Sequence, residues 1–261
     1  MDLKLNDRTA LVLGAGGGLG RATALSLARE GVRVALADVD AGALGASKDM
    51  IAAIDRKAIS IVWDLADLDS IDAHVATAEA DLGPIDILVN ITGGPPPTAV
   101  SGQEVELWEK SFRSMVLSVI KITDRVVPGM RERQWGRIVT SVSSGVISPI
   151  PNLGLSNSLR SSLVGWSKTL AGEVARDGVT ANVVVPGRIG TQRIRFLDER
   201  KAERESRPID DVVAESVASI PAGRYGEPAE YADAITFLAS ARAGYITGAT
   251  LRVDGGYISS I

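Results

Sequence analysis

The residues with the clearest chemical capacity are the glycines of Leu13-Gly14-Ala15-Gly16-Gly17-Gly18-Leu19-Gly20. Glycine offers no acid, base or nucleophile. It offers bare backbone, so that a phosphate can approach N–H groups that a side chain would shield. The run Thr9 to Leu13 before the turn reads as a buried strand, and Arg21 to Glu30 after it carries apolar residues at helical spacing. Strand, tight turn and helix in that order aim the first helical amides, and the positive end of the helix dipole, at whatever lies above the strand. The chemistry implied is binding of a dinucleotide. Glycine-rich loops are also ordinary turns, so the motif alone leaves both readings open.

A second apolar run, Val32 to Ala37, ends in Asp38, eighteen positions after Gly20. In a strand-helix-strand nucleotide fold that is where a carboxylate reaches the adenosine ribose hydroxyls. The expectation is NAD over NADP, because a carboxylate there repels a 2'-phosphate and neither Gly17 nor Val39 offers a compensating cation. The competing reading makes Asp38 the first residue of the turn Asp38-Val39-Asp40-Ala41.

Positioning these residues requires alternating elements, and the chain supplies them. Helix is expected over residues 41–54, strand over 58–63, helix over about 68–82, and a short apolar strand over 85–89 that ends in Asn90-Ile91-Thr92-Gly93. Gly93-Gly94-Pro95-Pro96-Pro97 cannot continue helix or central strand and is expected to line the mouth of a site. Helices over about 102–110 and on through Met130, strand over 137–142, a long helix over about 155–176 and strand over 179–185 follow. A helix over 227–239 and a strand over 250–253 complete the pattern. The reading is α/β, a doubly wound parallel sheet with helices on both faces, in one domain spanning residues 1–261. Residues 192–220 are dense in charge and poor in large apolar groups, either a mobile lid or a solvated helical insertion.

Composition narrows the function classes. Net charge is −4 with basic residues scattered, which suggests neither a nucleic-acid surface nor a membrane patch. Cysteine is absent, excluding disulfides and thiolate catalysis. The lone His74, expected on a solvated helix surface, permits neither a histidine triad nor a multi-histidine metal site. No secretory-type leader precedes Leu3 and no apolar run approaches the roughly 20 residues of a membrane span, so a soluble cytoplasmic protein is expected.

Taken together, Gly14-xxx-Gly18-x-Gly20, Asp64 after the third strand, Asn90-x-x-Gly93 after the fourth, Ser143 after the fifth, Pro186-Gly187 with Thr191 after the sixth, and Asp254-Gly255-Gly256 resemble the short-chain dehydrogenase/reductase family from end to end. Within it the chain is most similar to the β-ketoacyl-acyl-carrier-protein reductase branch. The resemblance implies a Rossmann-type, seven-stranded parallel sheet, NAD(P) as hydride carrier, a small-molecule substrate and a homotetramer or homodimer. By position it implies that Gly14, Gly18 and Gly20, with Gly16, Gly17 and Leu19 between, hold the pyrophosphate, Asp38 the ribose and Asp64-Leu65 the adenine. Asn90, Thr92 and Gly93 would line the adenosine half, and Pro186, Gly187 and Thr191 the nicotinamide half. Leu13, Ile91 and Thr92 depart from the family's usual residues without removing backbone donors.

The catalytic set departs further. The family acts through serine, tyrosine and lysine, with an asparagine on the helix before the fifth strand. Ser143 keeps the serine position, but Ser156 stands at the tyrosine, Arg160 at the lysine and Met115 at the asparagine. All four tyrosines, Tyr225, Tyr231, Tyr245 and Tyr257, lie beyond residue 224. A serine hydroxyl is a far poorer acid than a phenol, and an arginine stays charged, so slow or absent ketone reduction is expected. Two functions fit: an oxidoreductase for a small carbonyl or enone compound, with Ser143, Ser156 and Arg160 as its atypical catalytic set, or a cofactor-binding sensor or non-catalytic subunit. Other roles stay open for these residues: Ser156 as N-cap of its helix, Arg160 as partner of Asp198 or Glu199 or as holder of the cofactor ribose, and Met115 as packing.

Overall fold

The computed structural model describes residues 1–261. Seven parallel strands form one sheet in the order β3-β2-β1-β4-β5-β6-β7, comprising Thr9–Leu13 (β1), Arg33–Asp38 (β2), Ala58–Val62 (β3), Ile87–Asn90 (β4), Gly136–Ser141 (β5), Val179–Pro186 (β6) and Thr250–Val253 (β7). The period-2 alternation of strand side chains assigns the two faces. Ala10 and Val12 point into a core with Ala24, Leu27 and Ala28 of α1 (Gly18–Arg29), Leu44 and Ile51 of α2 (Ala41–Ala52), and Tyr231 and Ile235 of the late helix Pro228–Ala239. Leu11 and Leu13 point the other way, onto Val75 and Ala78 of α3 (Ile71–Leu82) and a core that continues along the helices Ser118–Glu132 and Gly154–Val174. Both faces are covered, as the continuous apolar character of β1, β4 and β6 requires.

The order reverses between β1 and β4, which opens a crevice beyond their carboxyl ends. There the glycine turn meets the end of β4: Gly14 has φ +66°, and a Cβ on it would lie 2.6 Å from the Ile91 carbonyl oxygen. The candidate site residues other than Met115 lie at the carboxyl ends of the strands, on the turns that follow them, or on the first two turns of α1 and α6.

Helices α4 (Val105–Phe112) and α5 (Ser118–Glu132) are joined by a wider π-turn, Arg113–Leu117, which contains Met115. Helix α6 (Gly154–Val174) carries Ser156 and Arg160, and the charged segment folds as two helices, α7 (Gln192–Glu205) and α8 (Ile209–Ala218), before α9 (Pro228–Ala239). Residues 192–220 are thus helical over most of their length. Ion pairs along it, Arg195–Glu199, Arg200–Glu203 and Lys201–Glu215, account for its high charge. His74 is half-buried rather than solvated, its ring 4.8 Å from that of the buried Trp63. No helix is long and apolar enough to cross a membrane, and no three His, Asp or Glu residues gather as metal ligands would.

Candidate active site

Helix α1 starts at the glycine turn without a side-chain cap, whereas α2 is capped by Asp40 and α7 by Thr191. Its first amides therefore keep donors with no intrahelical partner, above the end of β1. A Cβ on Gly17 would have one neighbour, the Gly14 carbonyl oxygen at 3.5 Å, so the space over this turn is open. The other glycines are held by the fold itself. A Cβ on Gly16 would lie 2.9 Å from Ala43 Cβ, on Gly18 2.7 Å from Thr191 Cγ2, and on Gly20 2.1 Å from the Gly14 oxygen. Leu19 between them is half-buried against the core of the α1 face.

Asp38 ends β2 beside this turn. Its Oδ2 accepts the Gly16 amide at 3.0 Å and its Oδ1 the Asp40 amide at 3.2 Å. Asp38 thus does begin a turn, and it also brings its carboxylate against the glycine loop. Asp64 and Leu65 follow β3, the Asp64 carboxylate accepting the Ala66 amide at 2.9 Å. An open turn with free amides and a carboxylate at its β2 side fits a pyrophosphate and an adenosine ribose.

Buried polar atoms without partners concentrate on the other side of the crevice: Asn90 Oδ1, Thr92 Oγ1, Thr98 Oγ1 and Asn157 Oδ1. Asn90 donates to Thr140 Oγ1 at 3.2 Å, and Thr92 and Gly93 offer carbonyls discussed below. Pro186 ends β6, and Gly187 is pressed against Asp254, whose Cα a Cβ on Gly187 would approach to 2.5 Å. Thr191 caps α7 while its methyl group covers Gly18, which ties the start of α7 to the glycine turn.

Ser143 lies two residues beyond the end of β5, where its Oγ accepts the Gly145 amide at 3.1 Å. Helix α6 begins at Gly154 with Leu153 as its cap, so Ser156 is no N-cap; it sits in the first turn, buried. Asn157 stands next to it, its Oδ1 directly over Gly145, where a Cβ would come within 2.1 Å of that oxygen and 3.4 Å of Ser143 Oγ. Asn157 and Ser143 thus flank one glycine. Sequence reasoning missed Asn157 because nothing in its own neighbours marks it; its place beside Ser156 at the start of the helix was the available signal.

Arg160 is buried and pairs with neither Asp198 nor Glu199. Asp198 is taken by Arg188 at 2.8 Å and by the Tyr225 hydroxyl at 2.8 Å, and Glu199 by Arg195. Arg160 donates instead to three carbonyls, those of Ser141 at 3.4 Å, Thr92 at 3.2 Å and Gly93 at 2.9 Å. It clasps the ends of β4 and β5 together. Burial, then the nearby positive charge of Arg193, push its pKa down to about 10, with Tyr231 acting in the opposite sense. At neutral pH it is still a cation.

No tyrosine stands one helical turn before Arg160 on α6. Tyr225 is bound to Asp198, and burial together with that carboxylate raises its pKa. Tyr231 is fully buried on α9 and donates to Ser141 Oγ at 2.7 Å, its pKa raised by burial. Tyr245 is fully exposed, and Tyr257 packs on the apolar cluster around Met115. Met115 itself is buried among Val116, Val119, Val142 and Leu159, as packing.

A family model described as enoyl-(acyl carrier protein) reductase matches residues 14–258. The chain is 35% identical over 256 residues to the 3-oxoacyl-[acyl-carrier-protein] reductase FabG of Escherichia coli (strain K12), across 97% of this chain and 98% of that protein. Among solved structures, L-sorbose reductase from Gluconobacter frateurii, complexed with NADPH and L-sorbose, matches with TM-score 0.94 and 26% identity over all of both chains. NAD+-bound xylitol dehydrogenase matches with TM-score 0.91 and 26% identity, over 97% of this chain and 100% of that one.

Proposed function

Because the chain belongs to the short-chain dehydrogenase/reductase family, we propose that it is an NAD(H)-preferring oxidoreductase that reduces a carbon–carbon double bond conjugated to a carbonyl group. When bound, the dinucleotide supplies hydride. The open turn at Gly17, the free amides at the start of α1 and the Asp38 carboxylate support its placement. Both NADPH and NAD+ occur among the structural neighbours, so the preference rests on Asp38 alone.

The observation that carries the choice of reaction is the set of groups around Ser143. A hydroxyl and a buried cation are present, Ser156 stands where the family has its tyrosine, and Tyr225 and Tyr231 donate their hydroxyls to Asp198 and Ser141. Ketone reduction needs a proton delivered to oxygen, and losing a positioned acid typically costs about 10² to 10⁴ in rate. Reduction at the β-carbon of an enone needs only that negative charge on oxygen be stabilised, while solvent protonates the α-carbon. Ser143 can donate a hydrogen bond to that oxygen, and Arg160, bound to the carbonyls that end β4 and β5, contributes positive charge. Ser156, in the first turn of α6, offers a hydrogen-bonding hydroxyl rather than an acid.

Assembly into a dimer or tetramer belongs to the same reading, supported by the exposed Leu251 on edge strand β7 and the fully exposed Tyr245 just before it. The test of the reaction is NADH oxidation with cyclohex-2-enone against cyclohexanone at equal concentration. The enone is expected to be consumed faster; faster turnover of the ketone would refute the proposal.

A further inference from the structure

Two arginines meet at the mouth of the crevice with no acid between them. Arg160 reaches it from α6 and Arg193 from the first turn of α7. A Cβ on Gly94 would lie 3.2 Å from Arg193 Nη2 and 3.8 Å from Arg160 Nη2, so both guanidinium groups border a single point. Arg193 donates to the Pro95 carbonyl at 3.0 Å, and its guanidinium carbon stands 5.5 Å from the Phe196 ring. Neither arginine forms an ion pair, whereas their neighbour Arg188 is held by Asp198.

This arrangement is unfavourable by itself. Arg160 is buried with only backbone carbonyls as partners, and a buried cation without a counter-ion carries a desolvation cost that neutral acceptors offset in part. Arg193 adds like charge beside it, in the first turn of a helix, where the dipole disfavours a cation. Burial lowers the pKa of both, that of Arg160 to about 10, which leaves it charged at neutral pH. Arg160 donates both Nη2 hydrogens to Thr92 and Gly93 and one Nη1 hydrogen to Ser141, whereas Arg193 donates one Nη2 hydrogen to Pro95 and keeps four of its five donors. Gly94 is exposed, and because a Cβ there would crowd Arg193 Nη2, only glycine leaves that edge of the two groups uncovered.

We propose that the substrate carries a carboxylate, seated over Gly94 between Arg160 and Arg193. A carboxylate matches the planar fork of the Arg193 guanidinium, and its charge would supply the counter-ion that the buried Arg160 lacks. Arg160 also holds the Ser141 carbonyl, two residues before Ser143, so an acid bound there lies beside the hydroxyl assigned to the reacting oxygen. A short oxo-enoic acid, an enone that carries a carboxylate, is therefore the substrate class. This inference rests on the oxidoreductase reading, and it explains the two residues that reading leaves unused, Arg193 and Gly94.

The test is a calorimetric titration with 4-oxopentanoate and with its methyl ester, on wild-type protein, Arg193→Gln and Arg193→Lys, beside an NADH titration of each. Wild type is expected to bind the acid at least about tenfold tighter than the ester, the loss of one charge-assisted hydrogen bond. Arg193→Gln, which removes the charge of a residue exposed on α7, is expected to abolish that preference, and Arg193→Lys to restore part of it. Equal affinity for acid and ester in the wild type would overturn the proposal. So would an Arg193→Gln protein that keeps the preference, or one that loses NADH affinity instead, which would assign the cation to the cofactor phosphates. A wild type that prefers the acid but binds neither NADH nor NADPH would sustain the anion seat and overturn the oxidoreductase reading separately.

Discussion

Asp38 and Gly17 together offer a direct test of how this crevice reads its cofactor. Gly17 has φ −83° and ψ 168°, an extended conformation open to any residue, and a Cβ there meets only the Gly14 oxygen at 3.5 Å. Arginine at this position is therefore free of strain and stands at the open side of the turn. Asp38→Ser removes the carboxylate yet keeps an oxygen that can accept the Gly16 amide. A carboxylate about 5 Å from a 2'-phosphate repels it by roughly 0.8–3.3 kcal/mol per unit charge, for effective dielectric constants between about 80 and 20. Taking about 2 kcal/mol, relief of that repulsion is worth about 30-fold, and one new charge-assisted hydrogen bond from the arginine adds about tenfold or more. The double variant Gly17→Arg with Asp38→Ser is expected to move the ratio of NADPH to NADH dissociation constants by at least about 300-fold. Equilibrium titration of both proteins with NADH and NADPH, followed by nucleotide fluorescence, measures it. A wild type that binds the two equally, or a double variant whose ratio moves less than about tenfold, would refute the role given to Asp38.

Two further substitutions probe the other side of the crevice. Ser156→Tyr with Arg160→Lys places a phenol and an amine one helical turn apart on α6, and is expected to raise the rate of cyclohexanone reduction by about 10² to 10⁴; a folded, NADH-binding double variant with no gain would show that the rest of the site is not built for ketones. Tyr231→Phe removes the buried hydrogen bond to Ser141 and is expected to cost about 1–3 kcal/mol, a fall in Tm of roughly 2–4 °C per kcal/mol read by calorimetry; an unchanged Tm would mean that the hydroxyl adds nothing net.

The fold was legible because its signals are local and repeated. Apolar runs such as Leu11 to Leu13 and Val179 to Val185 belong to strands buried on both faces, and the glycine turn and Gly178 mark where elements must end. Element bounds differ most where a helix start is set by packing: the third helix begins at Ile71 rather than near residue 68. At the site, sequence separation hides what matters. That Arg160 would turn to the carbonyls of Thr92 and Gly93, some 67 residues away, and not to Asp198, depends on Arg188 and Tyr225 having taken that carboxylate. No pattern of spacing encodes such a competition. The same holds for Ser156: serine early in a helix suggests a cap, but the chain enters α6 at Leu153, where an isolated bridge pairs Leu153 with Thr98.

The glycines that draw the eye first carry less functional information than their number suggests. Gly16, Gly18 and Gly20 would each collide with the protein itself if given a Cβ, and Gly14 needs its positive φ, so the fold would keep all four with no nucleotide in view. What the fold does not explain is different in kind: an uncapped helix start with open space above Gly17, a carboxylate turned onto the loop at Asp38, and unpaired polar atoms at Asn90, Thr92 and Asn157. Each has a cost or an unused capacity in the free chain, which a bound ligand would relieve or use. The two arginines at Gly94 belong to the same class, since nothing within the protein neutralises them. Function in this chain is written in the residues that the fold alone would have had no reason to place where they are.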